Sequence, residues 1–165
     1  MPYPIGPCTA PLWRMIHPRH QREPFSGEGA RLYGGRWNMK GWPALYLSTD
    51  HGTAIAEYHQ SMIQPGMLVP YRVAAASVAD LTATDAHIEA ALSCDWDQIA
   101  RRDGEVPPSW KLAQDLIAGG AEGAIVPSAQ YRGGRNLVLW RWHDARKPGD
   151  GAALTLLDPQ QALAP

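Results

Sequence analysis

Residues 26–47, Ser-Gly-Glu-Gly-Ala-Arg-Leu-Tyr-Gly-Gly-Arg-Trp-Asn-Met-Lys-Gly-Trp-Pro-Ala-Leu-Tyr-Leu, gather side-chain types that could do chemistry. Arg31, Tyr33, Arg36, Trp37 and Asn38 surround the adjacent Gly34 and Gly35, and Tyr46 follows on an apolar run. Glycine lets a backbone approach a ligand closely, and successive amides in such turns form anion-binding concavities. Arginine forks match phosphate oxygens two at a time, and aromatic faces accept a base or a nicotinamide ring. The chemistry on offer is recognition of a phosphorylated aromatic small molecule, most simply a nucleotide. An ordinary surface turn with solvated arginines would have the same composition.

Other chemistries find less support. The six histidines show neither a His-Glu-x-x-His pattern nor a cysteine pair at ligand spacing, so no metal site is expected. No Gly-x-Ser-x-Gly elbow accompanies His143 and Asp144, and there is no Gly-x-x-x-x-Gly-Lys-[Ser/Thr] loop. What remains is arginine, aromatic rings and one well-placed glutamate, Glu57.

The elements that must position these groups follow from periodicity. Residues 12–16 read as a short strand carrying Arg14, after an irregular lead-in over residues 1–11. Residues 17–41 read as one long loop, a length that is usually functional in a compact domain. Residues 44–47 form a buried strand, and Ser48, Thr49 and Asp50 are candidate caps for a helix to about Gln64. On that helix Ala54, Ile55, Tyr58 and Met62 share a face, and Glu57 lies about 60° from Ala54, on the border of the apolar stripe. A carboxylate there can look into a cleft. Further strands are expected at 67–73, 124–126, 137–142 and 153–157, with helices at 87–100 and 109–118. Residues 131–136 repeat a Gly-Gly-Arg step, which would suit a second phosphate and is equally open to coincidence. Strands that outnumber helices without regular alternation point to α+β.

Composition sets the outer bounds. A chain of 165 residues, 45% hydrophobic, makes a single domain over residues 1–165 with its core at about 12–142. A net charge of −1 gives no general attraction to nucleic acid or membrane, so any arginine role is local. Two cysteines far apart make no disulfide framework. No signal-peptide pattern and no long apolar run is present, so a cytoplasmic location is expected.

The blocks Gly27-Glu28-Gly29-Ala30-Arg31, Gly34-Gly35-Arg36-Trp37-Asn38, Pro43-Ala44-Leu45-Tyr46-Leu47-Ser48 and Ala56-Glu57 resemble the core signature of the RES-domain family. The likeness extends from Leu12-Trp13-Arg14 to about Trp142. Members are bacterial toxins, usually paired with an Xre-type helix-turn-helix antitoxin. The resemblance implies a fold like the diphtheria-toxin type of ADP-ribosyltransferase, with a mixed, mostly antiparallel central sheet. It also implies consumption of NAD as a substrate, with no permanently bound cofactor, and an antitoxin that blocks the NAD cleft.

Carried over residue by residue, the resemblance gives Arg14, Glu57 and Ser128 as catalytic. It gives Arg31, Tyr33, Gly35, Arg36, Trp37, Asn38, Tyr46 and Asn136 as NAD-binding, with Tyr46 bordering the nicotinamide. This inventory suits cleavage of the nicotinamide–ribose bond. The leaving group departs neutral and needs no acid, while a carboxylate stabilises an oxocarbenium-like ribose. Family members pass ADP-ribose to water, phosphate or a protein side chain, and the sequence leaves these open. The rival reading is a non-catalytic nucleotide- or RNA-binding module that uses the Gly-Gly-Arg loops as grips; near-neutral charge argues against it.

Overall fold

The computed structural model describes residues 3–60, 62–83 and 85–158. Along the chain run β1 (Ile5–Ile16), a 3₁₀ turn (Pro18–His20), α1 (Glu28–Tyr33), β2 (Leu45–Ser48) and α2 (His51–His59). These are followed by β3 (Met67–Asp80), α3 (Ala86–Ser93), α4 (Trp96–Arg101), α5 (Pro108–Ala118) and β4 (Gly123–Pro127). The last three elements are β5 (Arg135–Leu139), β6 (Trp142–Asp144) and β7 (Ala152–Leu156).

The seven strands of the described residues belong to one sheet. β1 pairs with β3 from Ile5 opposite Ala79 to Ile16 opposite Met67, and it also meets β2 where Trp13 faces Ser48. β2 pairs with β5, β5 with β4, and β4 with β3, which closes a ring of five strands. β7 extends the sheet from β3, and β6 lies outside β7. Only the β3–β4 and β6–β7 pairings are parallel among these. The architecture is α+β with a mixed, mostly antiparallel sheet, as the sequence predicts.

Each face of the sheet carries its own core. Leu12, Leu45, Leu47, Val69, Tyr71, Leu137 and Leu139 pack between the strands. Val138, Trp140, Ala124 and Val126 face the other way, against Ile88 of α3 and Leu112 and Leu116 of α5. β5 is therefore buried on both sides, with the alternation expected of a pleated strand.

Several boundaries differ from the sequence reading, each for a local reason. The lead-in is strand from Ile5 onward, because β3 supplies a partner along its whole length. The expected loop over residues 17–41 contains α1: Ser26 Oγ accepts from the Glu28 amide, Glu28 pairs with Arg31, and Gly34 at φ 72° ends the helix. α2 stops at His59, because Gln60 takes φ 34°. Its buried residues are Thr53 and Ala54, whereas Ile55 and Met62 are 38% and 70% exposed. The helix expected over residues 87–100 is two, since Asp95 caps a fresh start by accepting from the Gln98 amide. The strand expected over residues 137–142 is also two. The amides of Trp140 and Arg141 both turn to the Glu122 carbonyl, and Trp142 begins β6.

Candidate active site

Three elements bring the polar side chains of Glu57, Ser48 and Asn136 to one wall of a cleft of about 470 Å³, and Ser128, in the turn after β4, joins them through Glu57. Glu57 lies on the last two turns of α2, whose start is fixed by Asp50: its carboxylate accepts from the Thr53 amide at 2.8 Å and from the Thr53 hydroxyl at 2.7 Å. These bonds hold the Asp50 carboxyl below the usual carboxylate range. Ser128 follows β4, Asn136 sits on β5, and Ser48 ends β2. Glu57 Oε1 accepts from Ser128 Oγ at 2.5 Å and from Asn136 Nδ2 at 2.7 Å. Asn136 Oδ1 in turn accepts from Ser48 Oγ at 2.7 Å. Ser128 Oγ also accepts from the amides of Gln130 and Tyr131, so its hydroxyl is fully engaged. Two donors occupy Oε1, and Oε2 has no hydrogen-bond partner among the described residues.

The second Gly-Gly pair maintains this geometry. Gly134 lies so close to the Thr53 side chain that a Cβ there would overlap it, which seats the β4–β5 turn against α2. Arg132 and Arg135 on that turn are exposed and do not line the cleft. The notion of a second phosphate grip is thereby corrected: this glycine serves packing.

Arg14 projects from β1 into the cleft and is half-buried. Its Nη1 donates to the Pro24 carbonyl at 3.3 Å, which also accepts from the Tyr71 hydroxyl at 2.5 Å. Burial raises the Tyr71 phenol above the ordinary tyrosine range. Trp13, Tyr46, Tyr58 and Trp96 supply aromatic wall, and Trp96 packs against Trp110 with ring centroids 6.2 Å apart.

The first Gly-rich block is divided in its uses. Gly34, Gly35, Arg36 and Trp37 line the cleft. Gly35 is there because a Cβ would lie 2.7 Å from the Tyr46 hydroxyl and 2.8 Å from Asn38 Oδ1. Tyr46 donates to that Oδ1 at 2.7 Å and accepts from the Trp37 amide at 3.2 Å. Its phenol is raised far above the usual range, chiefly by burial. Asn38 is buried, and its Nδ2 donates to the carbonyls of Ala30, Met39 and Trp42, so it knits the block and does not face the cleft.

Arg36 spends its Nη1 on the Cys94 carbonyl at 2.7 Å and, more weakly, on Ala91, at the C-terminal end of α3. A guanidinium there complements the helix dipole. Arg31 is engaged with Glu28, and Tyr33 is 71% exposed; neither lines the cleft. Trp37 is 2% exposed and its carbonyl accepts from Trp140 Nε1, so it is a core residue with an edge on the cleft rather than an open stacking platform. Ser48, Trp13, Tyr58, Gln60 and Trp96 also line the cleft, although the sequence did not mark them as site residues. Among the described residues, no group of three His, Cys, Asp or Glu could hold a metal ion.

This geometry can be compared with known proteins. A sequence model described as the RES domain matches residues 11–157. The chain belongs to the RES-domain family. It is similar to the Toxin Res of Yersinia enterocolitica, with 26% identity over 129 residues, 78% of this chain and 82% of that protein. A shorter stretch of 46 residues is 41% identical to the Toxin Res of Photorhabdus laumondii and covers 28% of this chain and 30% of that one. Among solved structures, a chain of the M. tuberculosis MbcT–MbcA toxin–antitoxin complex has a TM-score of 0.61 at 21% identity, over 95% of this chain and 85% of that one. That last likeness speaks for the RES fold alone. No helix among the described residues is long and apolar enough to cross a membrane.

Proposed function

We propose that this RES-domain chain is the toxin of a toxin–antitoxin pair and cleaves NAD at the nicotinamide–ribose bond. The observation that carries the reading is Glu57, with one oxygen held by Ser128 and Asn136 and the other without a hydrogen-bond partner among the described residues, on the wall of an aromatic-lined cleft that also receives Arg14. A fixed carboxylate is suited to the positive charge that develops on the ribose as the C1′–N bond breaks. The bonding pair leaves with nicotinamide, which departs neutral and needs no acid. Arg14, Tyr46 and Trp96 line the cleft; in this reading Arg14 pairs with a phosphate or ribose oxygen and the two rings bound the nicotinamide. ADP-ribose is then captured by a nucleophile, which gives up its proton. The names of the similar toxins support the toxin role, and a helix-turn-helix antitoxin of the Xre type that occludes the cleft is the proposed partner. A cytoplasmic site of action accords with an NAD substrate.

The acceptor follows less directly. Two residues before Glu57 stands Ile55, an apolar side chain that offers no base to activate a guanidinium. Water, phosphate or a protein nucleophile other than arginine is therefore favoured. The decisive experiment incubates purified protein with NAD and measures free nicotinamide. Glu57→Gln keeps size and removes charge; it should lower kcat by about 10²–10³, or about 2.7–4 kcal/mol, while the protein stays folded. Near-normal release by the folded variant would remove Glu57 from the chemistry. Labelled NAD with lysate separates the acceptors, and label found on arginine would contradict the argument from Ile55.

A further inference from the structure

Ser48 is 4% exposed on a strand whose other residues are Leu45, Tyr46 and Leu47. A buried hydroxyl in such a place costs stability unless it is hydrogen-bonded. Its partner is Asn136 Oδ1, at 2.7 Å, on the residue directly opposite in the β2–β5 register. Asn136 is itself only 9% exposed. Two buried polar side chains that satisfy each other across a strand pair could be replaced by two apolar ones with little loss. Stability alone thus gives no reason for the pair. What the pair does deliver is an amide nitrogen, 2.7 Å from Glu57 Oε1.

The geometry points to Ser48 as a positioning residue for the NAD reaction, acting on Glu57 through Asn136. The terminal torsion of asparagine is soft, so one hydrogen bond does not fix the plane of its amide. Two bonds at opposite ends do: Ser48 holds Oδ1 and Glu57 receives Nδ2. Without the hydroxyl, Oδ1 becomes a buried acceptor lacking a donor, and the amide gains by rotating away. Glu57 then keeps Ser128 as a donor, but the direction of its free oxygen is less restricted. Preorganised charge loses value when its orientation spreads. Ser128, bound to the backbone at Gln130 and Tyr131, comes from a turn, whereas Ser48 anchors the network to the closed sheet.

This inference rests on the NAD reading, so its test has a readout that does not need NAD. In turnover, Ser48→Ala should lower kcat about tenfold with KM within about twofold of wild type, the signature of a lost transition-state interaction. Ser48→Thr, which keeps the hydroxyl, should recover most of the rate. In an Asn136→Ala background the further change Ser48→Ala should cost nothing, because the relay is already gone. Independent multiplication of the two losses, or near-wild-type kcat for a folded Ser48→Ala, would overturn the proposal. If the wild-type protein releases no nicotinamide, the NAD reading fails, and NMR of the Asn136 side-chain amide decides the relay. Its two amide proton signals should sharpen one fixed environment in wild type and shift or broaden in Ser48→Ala. Unchanged signals would overturn the relay whatever the substrate.

Discussion

Gly35 shows how a residue can be noticed for one reason and present for another. In the sequence, adjacent glycines beside arginine suggest a backbone that must approach a phosphate. In the fold, Gly35 makes room for Tyr46 and Asn38, and its carbonyl accepts from Trp110 Nε1 at 2.7 Å. Arg36 likewise divides itself between the cleft and the end of α3. Gly35→Ala should therefore act first on stability: displacing the Tyr46–Asn38 bond from a packed site should cost roughly 1–3 kcal/mol in denaturant unfolding. Gly29→Ala is the control, since α1 has open space at that position and alanine is the better helix former. If the Gly35 variant is as stable as the Gly29 variant yet binds NAD poorly, the original ligand-approach reading of the pair stands. Of the other expected site residues, Arg14, Glu57, Ser128, Tyr46 and Asn136 come together around the cleft, and Arg31 and Tyr33 do not. Ser48 could be seen in the sequence as a helix-cap candidate and the end of a family block, but not as a site residue; its partner lies 88 residues away, a separation that no local pattern encodes.

At the scale of elements, local signals held where they were self-contained and failed where a distant strand decided. The Asp50 cap of α2 and the glycines after α5 are written in adjacent residues. The length of β1 is not, because Pro4, Pro7 and Pro11 weaken any local strand signal and the partner is far along the chain. One proline shows what the pairing requires. Ala76 and Ser77 of β3 stand opposite Pro7 alone, a bulge at which the ladder is interrupted. Glu122, buried just before β4, fills the gap: its Oε2 accepts from the Ala76 amide at 2.7 Å and the Ser77 amide at 3.1 Å. Glu122→Ala should leave these donors without an acceptor and cost roughly 1–3 kcal/mol. Glu122→Gln keeps an oxygen able to accept both and should cost distinctly less. Equal losses in thermal unfolding would mean that the charge, not the acceptor, matters at this bulge.

At the scale of the whole molecule, closing five strands into a ring places phenols where water cannot follow. Tyr71 is fully buried within the inter-strand core, with its hydroxyl on Pro24; Tyr46 turns its hydroxyl inward to Trp37 and Asn38. Burial raises both phenols. Above about pH 10 the unfolded chain therefore loses protons that the folded chain keeps. The sign follows directly: the unfolded state binds fewer protons, so stability falls as pH rises, by up to about 1.4 kcal/mol per pH unit for each such group. Below the ordinary tyrosine range the contribution is fully present. Alkaline titration should show a cooperative step in which the tyrosinate absorbance of these buried phenols and loss of folded structure coincide. Tyr71→Phe should move that step to higher pH while Arg14 still holds the Pro24 carbonyl. If Tyr71 instead ionises smoothly with the sheet intact, the ring is open to water at high pH and its closure contributes less to the fold than the pairing pattern implies.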